Sequence, residues 1–336
     1  MKMDKQRGAA LLAAMLVVTL ATTLVSGLLW REHLRVRTLE NQRLRDEAQW
    51  IGTGALDWAR LVLREDLYQT HAVDHLGEVW AIPIAETPLS DFLKSRGMGA
   101  LSGDGDSEIW LSGSIVDATS RFNLTSLVDV SNPLGDRGWV GATGINAEAV
   151  AIFARLLQNL GLDPAGAPLV AKSLLQSRVP QTAVGDAPLP WRGAQDLLDL
   201  IPDATPEALA QLAQYTVVLP RPTAVNANTA PAVVLAAVLG VAQGTAEQVI
   251  ADRNQAFYAD YTSLMSRVRT RAPQGLTISG RNLGVSSEYF WVVERLRHGR
   301  VTVTQQALVA RRAHPGNATQ VLWQRPGLPD GVSVGG

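Results

Sequence analysis

The sequence predicts a mixed α+β chain: a long N-terminal helix packed on a small antiparallel sheet, interrupted by a large all-helical inserted domain. An uncharged run from Ala9 to Trp30 continues into an amphipathic pattern that reaches Asp66. Strand-like runs gather before Asp117 and return after Gly280, and the stretch between them, from about Ser131 to Gln274, is helical in character.

The N-terminal helix comes first. Ala9 to Trp30 is 22 residues without a charge, which as a helix spans about 33 Å at roughly 1.5 Å per residue. A bilayer's hydrocarbon core is about 30 Å thick, so the run can cross it. It exceeds the 7–15 residues, roughly, of a signal-peptide apolar region, and no Ala-x-Ala site follows it. Ala13, Ala14, Ala21 and Gly27 permit close approach of a neighbouring helix. Lys2, Lys5 and Arg7 precede the run, while Arg31, Arg35, Arg37, Arg43 and Arg45 follow it. The positive-inside rule therefore does not favour export of the C-terminal bulk. Beyond the run, Leu44, Ala48, Ile51, Ala55, Trp58 and Val62 recur at steps of three and four, the stripe of a helix lying on a sheet.

Glu78 to Ile84 and Glu108 to Asp117 read as the first strands, bounded by Gly, Asp or Pro. The predicted helices are Ala147–Leu162, Leu169–Val179, Ala194–Ile201, Pro206–Tyr215, Ala230–Leu239, Ala246–Ala256 and Ser263–Val268. Thr205 precedes Pro206 as a capping hydroxyl before proline at the first helical position, and Thr229 and Thr245 are further N-cap candidates. Strands return at Tyr289 to Arg297, Arg300 to Arg311 and Val321 to Gln324, with a turn at His298-Gly299. The Pro- and Gly-rich tail from Arg325 reads as disordered.

Composition excludes several functions. The 336 residues are 46% apolar and 18% charged, enough for a sizeable core. Lys+Arg is 30 against 31 Asp+Glu, for a net charge of −1, which excludes a basic nucleic-acid coat and a highly charged disordered chain. There is no Cys, hence no disulfide, thiolate metal site or Cys nucleophile. No Gly-x-Ser-x-Gly, Walker A, Rossmann glycine or His-Glu-x-x-His pattern occurs. His71 and His75 stand four apart beside Asp74 and Glu78 without an evident third ligand; with the acidic loop Ser102 to Glu108 they are the case for a membrane-tethered hydrolase. Asp104, Asp106 and Glu108 alternate in a Gly-containing loop and could offer oxygen ligands to Ca²⁺, although the loop falls short of an EF-hand.

Ala224 to Gly240, with Gly244, Thr245 to Arg253 and Phe257, resembles a helix–hairpin–helix unit. In DNA-binding versions the hairpin amides hold a phosphate. Here residues 220–275 carry Arg221, Arg253, Arg267, Arg269 and Arg271 against Glu247, Asp252 and Asp260, and the Gly240–Gly244 hairpin has no basic residue. A structural use is favoured, with a membrane-anchored competence-type DNA receptor as the alternative.

Arg7-Gly8 directly against Ala9-Ala10-Leu11-Leu12 resembles the cleavage signature of type IV prepilins and type II secretion pseudopilins. There a membrane peptidase cuts after the Gly and methylates the new N-terminus; the carry-over is to Gly8 and Ala9. The usual Glu at the fifth mature position is Ala13 here, which suits a subunit at the end of a fibre. Further matches follow in order: Trp80 after Glu78, Ile115-x-Asp117, Arg121-Phe-Asn-Leu124, Val225-Asn-x-Asn-Thr-Ala230, Tyr289-Phe290 and a last strand pair near Trp323. Over about residues 5–325 the chain resembles the type II secretion system minor pseudopilin K family.

That resemblance implies a pilin-like α/β core and a non-enzymatic role. The role is capping or initiating a periplasmic pseudopilus at its tip, with the minor pseudopilins I and J, for export of folded proteins across the outer membrane. It implies the pseudopilins H and G as further neighbours, prepilin peptidase as processing enzyme, a single-pass inner-membrane location with the C-terminal bulk in the periplasm, and no nucleic acid. The expected parts are a leader at 1–8, a transmembrane helix at 9–30, a pilin-like α/β domain at 31–130 and 281–325, an inserted helical domain at 131–280 and a tail at 326–336. Leu11, Leu12, Ala13, Leu16 and Leu20 are expected to pack against neighbouring membrane helices. Calcium binding occurs in the family, but Val179 to Gly193 lacks the acidic, aromatic-rich stretch expected there, so no metal ligand carries over.

Overall fold

The computed structural model describes residues 4–70, 73–95, 97, 108–132, 140–178, 193–271, 278–299, 301–312, 318–329 and 332. One helix, α1 (Asp4–Thr70), holds the apolar run and the amphipathic stripe without a break. Ala48, Leu56, Ala59 and Leu63 are buried along it, at the i, i+3 and i+4 spacing that lays one face on a sheet. The run from Leu11 to Trp30 is exposed throughout.

Glu78 to Ile84 does not form the strand expected of it. Residues Val79–Ala81 make a 3₁₀ turn. The Glu78 carboxylate explains this: its Oε2 accepts from the His75 backbone N–H (2.9 Å) and from Trp80 Nε1 (2.6 Å), which folds the segment on itself. Strand β1 (Ile84–Pro88) begins where the expected one would have ended, followed by the short helix α2 (Leu89–Ser95) and by β2 (Ile109–Asp117).

From Asp117 the chain leaves the sheet. It passes β3 (Phe122–Asn123), β4 (Val128–Asn132) and β5 (Val140–Ile145), and then α3 (Ala147–Asn159), α4 (Gly166–Arg178) and α5 (Pro206–Ala213). Next are β6 (Thr216–Val217), β7 (Val225–Asn226), α6 (Ala232–Leu239), α7 (Gln243–Gln255), α8 (Tyr261–Arg269) and β8 (Leu283–Gly284). The insertion is therefore not all-helical: β3 pairs with β6, β4 with β5 and β7 with β8. These pairs stitch the extended connectors between helices, whose backbone groups need partners once buried. The helical core also reaches back before residue 131, since Phe122, Leu124, Leu127 and Val128 pack in it with Phe153, Leu157, Leu212 and Leu235. Ala194–Leu197 is a 3₁₀ turn, shorter than the helix expected there.

The caps divide. The Thr205 hydroxyl accepts from the Ala208 N–H (3.2 Å) in front of Pro206, as expected. Thr229 does not cap α6, which starts after Pro231; its hydroxyl is spent elsewhere. Thr245 lies inside α7, whose N-cap is Ala242.

The chain rejoins the sheet at β9 (Tyr289–His298), turns at Gly299 and runs back along β10 (Val301–Arg311) to β11 (Thr319–Pro326). The five-stranded sheet has the order β1-β2-β9-β10-β11, all antiparallel. β2 and β9 pair in register from Ile109↔His298 to Asp117↔Phe290, so strands on either side of the insertion are direct neighbours. One sheet face packs on α1 through Phe290, Val292, Ala307 and Val309. The other, with Tyr289, Trp291, Leu308 and Ala310, packs on Val217 and Leu219 of the insertion. The expected disorder does not start at Arg325: β11 continues through Pro326, and Leu328 and Val332 pack on that second face.

Candidate functional site

The motif residues from distant parts of the chain meet in a buried polar node where α1, the sheet and the insertion come together. Asp117, at the last position of β2, is its centre. Its Oδ1 accepts from the Thr119 N–H and hydroxyl, both at 2.7 Å. Its Oδ2 accepts from the hydroxyls of Thr229 (2.5 Å) and Ser287 (2.6 Å) and from Asn226 Nδ2 (3.3 Å). Asn226 Nδ2 also donates to the Asp74 carbonyl (3.0 Å) and to Ser287 Oγ (2.8 Å). A buried carboxylate is costly unless its lone pairs are filled, and here they are. Burial still pushes the Asp117 carboxyl above its ordinary range, against the opposing pull of Ser287, Thr119 and Thr229.

Beside it, Arg311 at the end of β10 reaches two carboxylates. Its Nη1 donates to Asp66 Oδ2 of α1 at 2.5 Å, and its Nη2 donates to Asp74 Oδ1 and to the Ser287 carbonyl (3.2 Å). Its guanidinium lies 4.6 Å from the centre of the Phe290 ring. Asp74 and Arg311 are fully buried, and Asp74 Oδ2 accepts from the Ser287 N–H at 2.6 Å. Two carboxylates share one guanidinium, so they are undercompensated. Burial pushes Asp74 up to about 7, and burial together with Glu78 raises Asp66. Asp66, Asp74 and Glu78 bring carboxylate oxygens within 4.8 Å of one another, the kind of group that can hold a metal. Arg311 already supplies the positive charge between two of them, which makes the group an ion-pair node.

The other motifs are structural in the same way. Asn123 Nδ2 donates to the Arg221 carbonyl (2.6 Å), and its Oδ1 accepts from the N–H groups of Thr125 and Leu219. Arg121 donates to the Ala213 carbonyl and covers the Trp291 ring. The Asn228 amide makes a two-bond clasp with the backbone of Tyr258.

The helix–hairpin–helix-like unit is α6, a turn at Gly240 (φ 65°) and α7, bent by 112°. Gly240 is in the left-handed region that glycine adopts without strain. The basic residue of α7 turns inward: Arg253 Nη1 donates to the carbonyls of Ala227 (2.7 Å) and Ala230 (2.6 Å). Arg155, near Gly240, donates to the Ala237 carbonyl. Both arginines thus satisfy the unit's own carbonyls.

Gly8 and Ala9 lie within α1 by backbone. Leu11, Leu12, Leu16 and Leu20 are 58–68% exposed, and Ala13 is exposed beside them. α1 is the one helix among the described residues that by itself is long and apolar enough to cross a membrane. Asp104 and Asp106 lie outside the described residues, as does His71, and Glu108 is exposed at the start of β2. His75 stacks on Phe257 with ring centres 4.0 Å apart, and its Nδ1 accepts from the Gly77 N–H. Sequence reasoning missed Asp66, Ser287 and Arg311; Arg311 lies 245 positions from Asp66, and no local pattern marks either.

Two family models described as type II secretion system (T2SS), protein K, match residues 120–221 and 225–285, one on each side of the connector beside the node. A type II secretion system protein K of Pseudomonas aeruginosa is 28% identical over 319 residues, covering 88% of this chain and 85% of that protein. These matches support reading the chain as a type II secretion system protein K. A protein K of Klebsiella pneumoniae is 29% identical over 164 residues, covering 48% of this chain and 41% of that protein. A chain of the solved GspK–GspI–GspJ complex of enterotoxigenic Escherichia coli shares the fold, with TM-score 0.55 at 19% identity over 86% of this chain and 99% of that one. The likeness to protein K supports a minor pseudopilin, a structural component of the secretion machinery. Its single apolar N-terminal helix fits a membrane anchor.

Proposed function

We propose that this protein K subunit initiates or caps the periplasmic pseudopilus at its tip, in complex with the minor pseudopilins I and J. In that role it promotes export of folded proteins across the outer membrane. The observation that carries the reading is where the insertion sits. It leaves the sheet at Asp117 and returns at Tyr289, at the node that also holds Asp66 near the C-terminal end of α1. From Trp30 to Asp66 the helix rises about 54 Å at 1.5 Å per residue, so the bulk lies at the end of α1 far from the apolar run. Subunits that stack along a helical fibre leave no room for such bulk above them; the terminal subunit does. The name of the solved complex with GspI and GspJ supports the same partners here.

In this reading residues 1–8 are a leader cut after Gly8, and Ala9 becomes the methylated N-terminus. Residues 9–30 span the inner membrane with the remainder in the periplasm. Leu11, Leu12, Ala13, Leu16 and Leu20 pack against the membrane helices of neighbouring subunits, the pseudopilins H and G among them. The sheet with α1 forms the pilin-like part, and the insertion forms a second part. Mass spectrometry of the N-terminal peptide from native membranes tests the processing: N-methylated Ala9 is expected, and an intact Met1 or a start near Leu28 overturns it. Co-purification of the full-length chain with I and J tests the assembly; loss of secretion without any such complex would refute the tip role.

A further inference from the structure

Glu294 stands alone inside the interface between α1 and the sheet. It lies on the α1-facing side of β9, opposite Gly113 of β2 and Gln305 of β10. The residue is 4% exposed, and among the described residues neither carboxylate oxygen has a hydrogen-bond partner. The fold makes room for it: a Cβ on Gly52 of α1 would come within 2.5 Å of its Oε1.

The carboxyl lines a slot with an open mouth. Ala55, Trp58 and Val62 of α1 form one wall, and Gly113 and Ile115 of β2 line the other. Val79 and Ile82 stand at the slot with 68% and 66% of their surfaces exposed. The cavity is about 40 Å³, room for about three waters at 10–15 Å³ each, or for one ammonium and its last methylenes. Unlike the carboxylates at Arg311, Glu294 has no cation beside it among the described residues, and burial pushes its carboxyl up to about 8. A buried acid without a partner destabilises the subunit that carries it, and an opposite charge from another chain would offset that cost.

We propose that this slot receives a lysine side chain of a neighbouring minor pseudopilin, its methylenes against Trp58 and Ile82 and its ammonium on Glu294. The occupant follows from charge complementarity and size: an apolar stem to suit the walls, a water-sized cation to suit the floor. A planar guanidinium needs a wider floor. The inference rests on the assembly with I and J proposed above.

The test uses the full-length chain in detergent with the I and J proteins of the same system. Glu294→Gln keeps the shape and removes the charge, and Ile82→Ser alters only an exposed rim residue. Each variant is expected to melt at or above the wild-type temperature on its own and to bind its partner at least tenfold more weakly. Single Lys→Met changes on the partner should identify one lysine with the same loss, and that loss should not deepen when combined with Glu294→Gln. If Glu294→Gln raises the melting temperature and leaves affinity within twofold, the slot is merely hydrated and the proposal is overturned. If the wild-type chain binds neither I nor J, the assembly reading fails and the slot's occupant fails with it.

Discussion

Replacing Asp117 by alanine removes the acceptor at the centre of the node, and the cost can be worked donor by donor. Five donors point at the carboxylate. Three have somewhere else to go: the Thr229 hydroxyl to the Asn226 carbonyl, the Thr119 hydroxyl to Ser287 Oγ, and Asn226 Nδ2 to the Asp74 carbonyl. The Thr119 N–H and the Ser287 hydroxyl do not. Each buried orphan costs about 1–3 kcal/mol, so the loss lies between about 2 and 6 kcal/mol. Removing a carboxylate whose ionised form burial already disfavours offsets part of it. A net loss of about 3 kcal/mol is expected, a fall in Tm of about 6–12 °C for a folded region of this size. Denaturant unfolding of the full-length chain in micelles measures it, and hydrogen exchange at Thr119 and Ser287 locates it. A loss below about 1 kcal/mol, or faster exchange spread evenly over the sheet, would refute the idea that these donors depend on Asp117.

Arg311→Met should destabilise by about 3–5 kcal/mol, because it leaves Asp66 and Asp74 buried without their cation; Asp74→Asn in the same chain should recover part of the loss in thermal melts. Two glycines of α1 should part ways under alanine substitution. Gly54→Ala meets nothing within 4 Å and should stabilise by about 0.5–1 kcal/mol, whereas Gly52→Ala drives a methyl against the Glu294 carboxyl and should destabilise despite the same gain in helix propensity. Stability should also fall as pH rises. Asp74 goes from 3.8 to about 7 and Glu294 from 4.5 to about 8 on folding, so the folded chain binds more protons than the unfolded one. Their contribution is complete below about pH 4 and lost through pH 7 to 8, and Glu294→Gln should flatten the upper part of the slope in a pH series of urea midpoints.

Periodicity exposes what is local. The stripe from Leu44 to Val62 marked only the edge of the sheet-facing side of α1: Ala48 is buried, Ile51, Ala55, Trp58 and Val62 are half-buried, and the centre is Leu56, Ala59 and Leu63. The alternation in Arg300 to Arg311 gave β10 its two faces, with Ala307 and Val309 toward α1 and Leu308 and Ala310 toward the insertion. Where a side chain competes with the backbone, local reading fails. The Glu78 carboxylate turned an expected strand into a 3₁₀ turn, and the Thr229 hydroxyl went to Asp117 instead of an N-cap. The motif residues Asp117, Asn226, Asn228 and Thr229 were visible as members of the Ile115-x-Asp117 and Val225-Asn-x-Asn-Thr-Ala230 motifs. Their convergence was not, because the bonds that join them cross 109 and 112 positions and are made only once the insertion folds back. Glu294 read as an ordinary strand residue; the room for its carboxyl depends on Gly52, where a Cβ would collide with Oε1.

Arg311 gives the subunit a mechanical path. α1 ends one turn beyond Asp66, and the insertion begins at Asp117. A pull on the membrane end of α1 would therefore travel up one unbroken helix of hydrogen-bonded turns. At the far end it would pass sideways through one buried guanidinium into β10, Asp74 and Ser287, and so into the insertion. A load applied along that axis shears the Asp66–Arg311–Asp74 contacts together instead of peeling the sheet strand by strand. A subunit pushed or drawn along the axis by the fibre beneath it would then move its distal bulk as one body.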